Sequence, residues 1–252
     1  MRSLFHHRPP EISRVEPVPT VFPDIVGADM AAFFAGKRVA GDFYDAVRVS
    51  PDRVLFGLLD VAGRREDNRQ ILVTAQDIFR NFGAELFSRE DINESDAMTE
   101  LSLKINRALI DSSKGVHPCP SFIACYHERF GTLCYTNAGH TPGLLRDSNG
   151  ISELTSTGLP LGLFSHATCD APTVGLEPGS ALLLVSRGVL ECGHRRNKSE
   201  EFGMDRLKPL LQAAPMTSAR DLCDSLMNSV NQFTDEHRMA DDRTALALVR
   251  SA

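Results

Sequence analysis

The chain has 252 residues, with 27 basic and 33 acidic side chains and a formal net charge of −6. This negative balance argues against broad electrostatic binding to nucleic acid or to an anionic membrane. Hydrophobic residues make up 42% of the chain, so a single large core is feasible. No apolar run approaches the ~20 residues that are needed to span a bilayer.

Six cysteines are spread along the chain without any C-x-x-C pair, and most of them lie inside apolar runs. Cysteine in such a context behaves as a small hydrophobic residue. The first residues also lack the apolar core of a signal peptide. We therefore expect reduced core thiols, no zinc site and a cytoplasmic location.

Residues 1–35 are interpreted as an N-terminal leader, and residues 36–252 as one folded domain. The leader carries five prolines between positions 9 and 23, which excludes a helix there and favours an extended path over the surface. Its apolar end, at Phe33 and Phe34, is expected to dock onto the domain.

The domain opens with a predicted hairpin. Residues 36–49 alternate imperfectly between apolar and polar side chains, and residues 53–59 are almost continuously apolar. Both runs are typical of strands, and the intervening Ser-Pro-Asp, residues 50–52, is typical of a turn. Such a hairpin would carry Asp42 and Asp60 to the same end of a sheet.

The rest of the chain predicts helices and strands in an order that fits a layered sandwich. The expected helices are 71–86, 98–109 with Asn93 or Ser95 as N-cap, and 222–233 opened by Thr217 and Ser218. The expected strands are 121–126, 132–136, 143–146, 151–154, 181–185 and 244–249. We therefore predict an α+β fold, a four-layer α-β-β-α sandwich of two packed, mainly antiparallel sheets flanked by helices.

Three separated acidic segments are candidates for a metal site. They are Gly41-Asp42-Phe43-Tyr44-Asp45, Asp60-Val61-Ala62-Gly63 and Asp241-Asp242-Arg243-Thr244, and the aspartates lie at the ends of apolar runs. Carboxylate oxygens beside permissive glycine backbone suit a hard divalent cation and an approaching phosphate. The segments would form one site if the fold brought them to the same edge.

These segments and three further motifs resemble the metal-dependent protein phosphatases, the PPM family. The resemblance is to the bacterial branch of the stage II sporulation phosphatase and the sigma-factor regulator phosphatases. The further motifs are Asn137-Ala138-Gly139-His140-Thr141-Pro142, Thr157-Gly158-Leu159-Pro160-Leu161-Gly162 and Glu201-Phe202-Gly203. All six motifs occur in the family's order and cover the chain from about residue 38 to 250.

The resemblance implies hydrolysis of phosphoserine or phosphothreonine in a regulatory protein, such as an anti-sigma-factor antagonist, with two Mn²⁺ or Mg²⁺ ions. By the match, Asp60 would bridge both ions and the Val61 carbonyl would complete the first site. Asp42 would act largely through metal-bound water, and Asp242 would hold the second ion. The residues expected around these ligands are Gly41, Gly63, Gly188 and Asp241. Homodimer formation stays open.

One departure from the family pattern concerns the second ion. After the apolar run 181–185 the family carries Thr-Asp-Gly, whereas this chain has Ser186-Arg187-Gly188. A guanidinium ~4 Å from a divalent ion would repel it by roughly 8 kcal/mol at an effective dielectric of ~20. If Arg187 points inward, one ion or none would bind; if it points outward, an incomplete but one-metal-competent site remains.

Two functions therefore stay open, a phosphatase with an impaired second metal site and a pseudophosphatase that binds a phosphoprotein without hydrolysing it. His140 also has two interpretations, as an acid/base group or as a structural turn residue. We favour the structural one, because the family's metal-bound water already supplies the nucleophile.

Overall fold

The computed structural model describes residues 16–36, 41–61, 65–112, 118–197, 199–234 and 241–251, and side chains from residue 68 onward in the first helix. Within these ranges the strands, in chain order, are β1 (Ala28–Ala35), β2 (Asp42–Ser50), β3 (Arg53–Asp60), β4 (Ser121–His127), β5 (Thr132–Ala138), β6 (Gly143–Asp147), β7 (Gly150–Leu154), β8 (Thr173–Gly175), β9 (Ala181–Val185) and β10 (Arg243–Arg250). The helices are α1 (Arg65–Asp77), α2 (Gly83–Phe87), α3 (Glu94–Ser112), α4 (Arg187–Leu190), α5 (Gly203–Ala213) and α6 (Ala219–Phe233). A π-helical turn, Ile78–Phe82, joins α1 to α2.

The strands form two five-stranded sheets, and the neighbouring strands named above are paired antiparallel within each sheet. One sheet has the order β1-β10-β9-β6-β7, and the other has the order β2-β3-β4-β5-β8. Side chains from both sheets share one buried cluster, while α1 to α3 cover one outer face and α5 and α6 the other. The predicted α-β-β-α sandwich is thereby confirmed.

Strand alternation explains how one strand serves two cores. In β3, Phe56 and Leu58 pack in the cluster between the sheets, whereas Leu55 and Leu59 pack under the helices. Successive side chains of a strand point to opposite faces, so a strand covered on both sides is apolar throughout. The almost continuous apolar character of residues 53–59 therefore follows from the central position of β3.

The apolar end of the predicted leader is an edge strand of the domain. β1 pairs with β10 over its whole length, from Ala28 opposite Arg250 to Ala35 opposite Arg243. Residues 28–35 are therefore part of the folded sheet, and the predicted boundary at residue 35 falls at the end of a strand rather than before the fold. Residues 1–15, which include Pro9 and Pro10, lie outside the described residues.

The other predicted elements are present, with three additions and two differences. β2 begins at Asp42 rather than at residue 36, and the helix predicted at 71–86 is divided into α1, the π-helical turn and α2. Asn93 caps α3 by accepting hydrogen bonds from the backbone amides of Ser95 and Asp96. Ser218 caps α6 by accepting one from Asp221. The sequence did not indicate β8, with three residues, α4, with four, or α5, which carries an internal proline.

A buried carboxylate holds the first helical segment against β2. Asp45, which is 1% exposed, accepts hydrogen bonds from Arg80 Nε at 2.7 Å and Nη2 at 2.8 Å. Its Oδ2 also accepts one from Gln76 Nε2 at 3.0 Å. Bidentate pairs of this kind fix geometry as well as charge, so Asp45 is a supporting residue rather than a free carboxylate.

We expect Arg80→Ala to lower the free energy of unfolding by about 2–3 kcal/mol. Removing one partner of a buried pair leaves a desolvated charge, which costs about 3–5 kcal/mol when burial is complete. The cost should be smaller here because the Arg80 side chain is 26% exposed. Urea titration at neutral pH measures the change, and Arg107→Ala, at an exposed position of α3, is the control. Equal stability of the two variants would contradict the expectation.

Candidate active site

The two hairpin aspartates lie directly opposite each other. Asp42, the first residue of β2, is the register partner of Asp60, the last residue of β3. Opposite residues in an antiparallel pair project to the same face of the sheet. Phe56 and Leu58 occupy the space between the sheets, so Asp60, two residues beyond Leu58, continues on that face. Both carboxylates therefore sit at the end of the cleft between the sheets.

The second sheet brings a third carboxylate to the same end. In β10, Leu246 and Leu248 face the space between the sheets. The same alternation places Thr244, and Asp242 just before the strand, on that side. The Thr244 hydroxyl donates a hydrogen bond to Asp42 Oδ2 at 2.6 Å, across a sequence separation of 202 residues. This bond ties the first strand of one sheet to the last strand of the other.

Ser186 secures the segment around Asp242. Its hydroxyl donates to the Asp242 carbonyl at 3.2 Å and accepts from the Thr244 amide at 3.0 Å. Asp241 Oδ1 accepts from the Asp242 amide at 2.9 Å, so Asp241 supports the backbone beside Asp242. Sequence reasoning missed Ser186 and Thr244 as site residues, because neither is charged.

Glycines allow the backbone to close around this end of the cleft. A Cβ on Gly41 would lie 2.1 Å from the Val61 carbonyl oxygen, and one on Gly188 would lie 2.1 Å from the Asp242 carbonyl oxygen. A Cβ on Gly36, which the sequence did not single out, would lie 2.2 Å from Asp242 Oδ1. Any side chain at these positions would push the acidic segments apart. Gly63 lies outside the described residues.

Asp42 is buried beside two other acidic side chains, Asp60 and Asp242. Asp42 is 8% exposed, and its pKa rises to about 7, mainly through burial and further through the nearby charges of Asp60 and Asp242. Hydrogen bonds from Thr244 and Ser186 oppose this rise. Burial also raises the pKa of Asp60, while the Arg187 charge lowers it. A cation at this point would relieve the like-charge repulsion.

The donor set fits a hard divalent cation by its chemistry, since Mg²⁺ and Mn²⁺ prefer carboxylate and carbonyl oxygens. Asp42, Asp60, Asp242 and the Val61 carbonyl are such donors. Within the described parts of the chain, however, no three His, Cys, Asp or Glu side chains already surround one point as ligands do. The structure brings the predicted residues to one end of the cleft without closing them around an ion.

Arg187 lies at the rim of the site, neither fully inward nor turned away. It is the first residue of α4, and its side chain is 56% exposed. The guanidinium forms long ion pairs, with Glu191 and with Asp241, each at 3.7 Å. Its charge nevertheless lowers the pKa of Asp60 more than any other nearby charge changes it, so Arg187 acts on this one predicted metal ligand from the rim.

A pocket of about 290 Å³ opens beside Asp60, and its walls include Pro118, Pro120, His140 and Arg187. The backbone amide of His140 donates to Asn137 Oδ1 at 2.8 Å, and its Nδ1 lies 3.1 Å from the Thr141 carbonyl. Burial lowers the pKa of His140 to about 4, so the ring is neutral at physiological pH. These contacts support the structural interpretation of this histidine.

All six cysteines are buried and none forms a disulfide, as the sequence indicated; all lie in the described ranges. Within those ranges no helix has the length and apolar character that crossing a membrane requires.

Two curated relatives show what kind of protein this chain is similar to. Protein IcfG of Synechocystis is 25% identical across 93% of this chain and 40% of its own length. The phosphoserine phosphatase RsbP of Bacillus subtilis is 22% identical across 82% of this chain and 48% of its own length. The chain spans 40% to 60% of the length of the curated relatives that it matches.

Solved structures share the fold. The SiaA-PP2C domain of Pseudomonas aeruginosa superposes with a TM-score of 0.73 at 18% identity, over 88% of this chain and 86% of that one. RsbX in complex with magnesium superposes with a TM-score of 0.64 at 13% identity, over 90% of this chain and 96% of that one. The model of the stage II sporulation protein E (SpoIIE) family matches residues 50–251. Since this match covers most of the chain, the chain belongs to the SpoIIE family, and the resemblance seen in its motifs is confirmed.

Proposed function

We propose that the chain is a metal-dependent protein serine/threonine phosphatase of the cytoplasm, acting on a phosphorylated regulatory protein. The observation that carries the proposal is the convergence of Asp42, Asp60 and Asp242 from three chain segments at one end of the cleft between the sheets. The phosphoserine phosphatase RsbP, similar over most of this chain, supports the reaction class. The six free, buried thiols support the compartment.

Asp42, Asp60, Asp242 and the Val61 carbonyl would hold Mn²⁺ or Mg²⁺. A bound ion of this kind supplies an activated water and stabilises charge on a phosphoryl group. The raised pKa of the buried Asp42 supports such a site, because a cation beside a buried carboxylate favours its charged form. The magnesium bound to RsbX, which shares the fold, agrees with the expected type of ion.

The chain's own residues would hold these ligands in place. Thr244 orients Asp42 through its short hydrogen bond, and Ser186 fixes the backbone on both sides of Arg243. Arg187 would impair binding of a second ion, because its positive charge acts on Asp60. We therefore propose a site that holds one ion well and a second ion weakly.

The second candidate function is that of a pseudophosphatase, which binds a phosphoprotein without hydrolysing it. Arg187 favours it, since a guanidinium stands where the family pattern has a metal-binding aspartate. A fixed guanidinium could take over the neutralisation of the acidic cluster and leave the chain without a catalytic ion.

Hydrolysis of p-nitrophenyl phosphate tests the first function. We expect turnover that requires added Mn²⁺, disappears with a chelator and is lost in Asp60→Ala. Asp91→Ala, at a side chain that is 78% exposed, is the matched control for removal of a carboxylate. Turnover no higher than that of Asp60→Ala would exclude the hydrolase and leave the pseudophosphatase.

A further inference from the structure

A second cavity reaches the candidate site from the side of α1. This groove of about 530 Å³ runs from Asp42 to Glu16, and Arg69 lies on its wall. Its other walls are the segment 17–20 and the aromatic side chains Phe34, Phe43 and Tyr44. We call it the Arg69 groove. The groove ends at Asp42, a predicted metal ligand. If a segment of polypeptide bound in the groove, the residue next to that segment would lie at the candidate site.

One wall of the Arg69 groove is a firmly held extended strap, residues 16–20. The Val18 amide donates to Gln76 Oε1 at 2.7 Å, and Gln76 Nε2 donates back to the Val18 carbonyl at 2.8 Å. The Thr20 hydroxyl lies 2.9 Å from the Tyr44 carbonyl and 3.0 Å from Asp45 Oδ1. Pro17 and Pro19 stiffen the strap between these bonds. The groove is therefore pre-formed, which lowers the entropy cost of binding.

The positive charge on the groove wall is weakly engaged. Arg69 Nε lies 3.6 Å from Glu16 Oε1, with side-chain exposures of 39% and 57%. This nitrogen makes no hydrogen bond in the parts of the chain that the structure describes. Half-exposed ion pairs of this length contribute little, about 0–1 kcal/mol. A carboxylate that approaches Arg69 with better geometry could therefore displace Glu16.

We propose that the Arg69 groove binds the polypeptide flanking the phosphorylated residue of the substrate, and that Arg69 selects an acidic side chain in that flank. Glu16 occupies the position of this acidic group in the free protein. The inference rests on the proposed function for the phosphorylated residue itself, but the flank preference belongs to the groove. Arg69 is thus a specificity-determining residue, with Glu16 as its internal competitor.

The test uses two ten-residue peptides with one central phosphoserine, flanked either by glutamates or by glutamines. The readout is the ratio of their kcat/KM values, together with the ratio of their Kd values from fluorescence anisotropy. We expect the wild type to prefer the glutamate peptide about threefold, within the range of an exposed ion pair. The preference should disappear in 1 M salt, where the Debye length is about 3 Å.

Two substitutions should change this preference in opposite directions. Arg69→Ala should abolish it and Arg69→Lys should restore part of it, since lysine keeps the charge without the planar fork. Glu16→Gln should increase it about twofold, because the internal competitor loses its charge. Arg107→Ala, an arginine on the exposed side of α3, should keep the wild-type ratio.

The outcomes separate this inference from the proposed function. A wild type that prefers the glutamate peptide in binding but hydrolyses neither peptide would support the groove and refute the hydrolase. A wild type that hydrolyses both peptides equally, or a preference that survives Arg69→Ala, would overturn the groove. If Arg69→Ala lowered kcat/KM equally for both peptides, Arg69 would contact the phosphoryl group instead. This result would also overturn the flank assignment.

Discussion

Arg187→Asp is expected to increase the number of Mn²⁺ ions bound per chain from one to two. The substitution replaces a positive charge by a negative one at the rim of the carboxylate cluster, where Arg187 already acts on Asp60. The expected gain in affinity for the second ion is at least ~100-fold, or about 2.7 kcal/mol. This is well below the roughly 8 kcal/mol of a fully inward guanidinium ~4 Å from an ion, because the side chain is half exposed.

Turnover should rise with the second ion, since two ions can stabilise both the attacking and the leaving oxygen. Isothermal titration calorimetry counts the ions, and p-nitrophenyl phosphate hydrolysis measures the rate. Arg89→Asp is the matched control, because it makes the same charge change at a side chain that is 74% exposed and pairs with Asp91.

The result also decides between the two candidate functions. Activity that appears only in Arg187→Asp would identify the natural chain as a pseudophosphatase. Activity in both proteins, higher in the variant, would identify an impaired phosphatase. Unchanged ion number and unchanged rate would show that Arg187 does not act on the site, and the pseudophosphatase would lose its support.

Asp42→Asn is expected to stabilise the metal-free protein at pH 8 by up to about 4 kcal/mol. The pKa of Asp42 rises from 3.8 to about 7 on folding, and each pKa unit corresponds to about 1.4 kcal/mol. Asparagine resembles the protonated carboxyl and keeps an oxygen that can accept the Thr244 hydrogen bond. The figure is an upper value, because water and nearby side chains can rearrange around the charged Asp42 of the wild type and reduce its cost.

The pH dependence of stability follows from the direction of this shift. Between pH 3.8 and about 7 the folded protein holds a proton on Asp42 that the unfolded chain has released. The contribution of Asp42 to stability therefore falls as the pH rises through this window and levels off above it. At pH 4 or below, wild type and Asp42→Asn should be nearly equal in stability.

Urea denaturation at pH 4, 6 and 8 in the presence of a chelator measures the difference between the two proteins. Asp24→Asn, at an exposed position before β1, controls for the loss of one surface charge. A difference between wild type and Asp42→Asn that does not change with pH would show that Asp42 is ionised normally in the fold. The carboxylate cluster would then need no cation to offset it.

The sequence identified the strands well because the relevant physics is local. Alternation and turn chemistry placed the hairpin turn and the second strand within one residue, whereas the first strand begins at Asp42 rather than at residue 36. The caps at Asn93 and Ser218 were recognised from residue type. β8 and α5 escaped prediction because three residues carry too little periodicity, and because Pro209 interrupts the helical pattern. β1 was expected to dock but not to pair, since pairing with β10 depends on a segment more than 200 residues away.

The sequence by itself determined the family through the order of its motifs, the sandwich fold through the order of its predicted helices and strands, and the candidate carboxylates Asp42, Asp60 and Asp242. Only the tertiary structure decided that Arg187 stands at the rim, that Thr244 holds Asp42, and that the strap forms a groove beside the site. Strand alternation fixes the face on which a side chain lies, and this can be read along the chain. Which groups meet across two sheets depends on packing between residues far apart in sequence, and no local pattern encodes it.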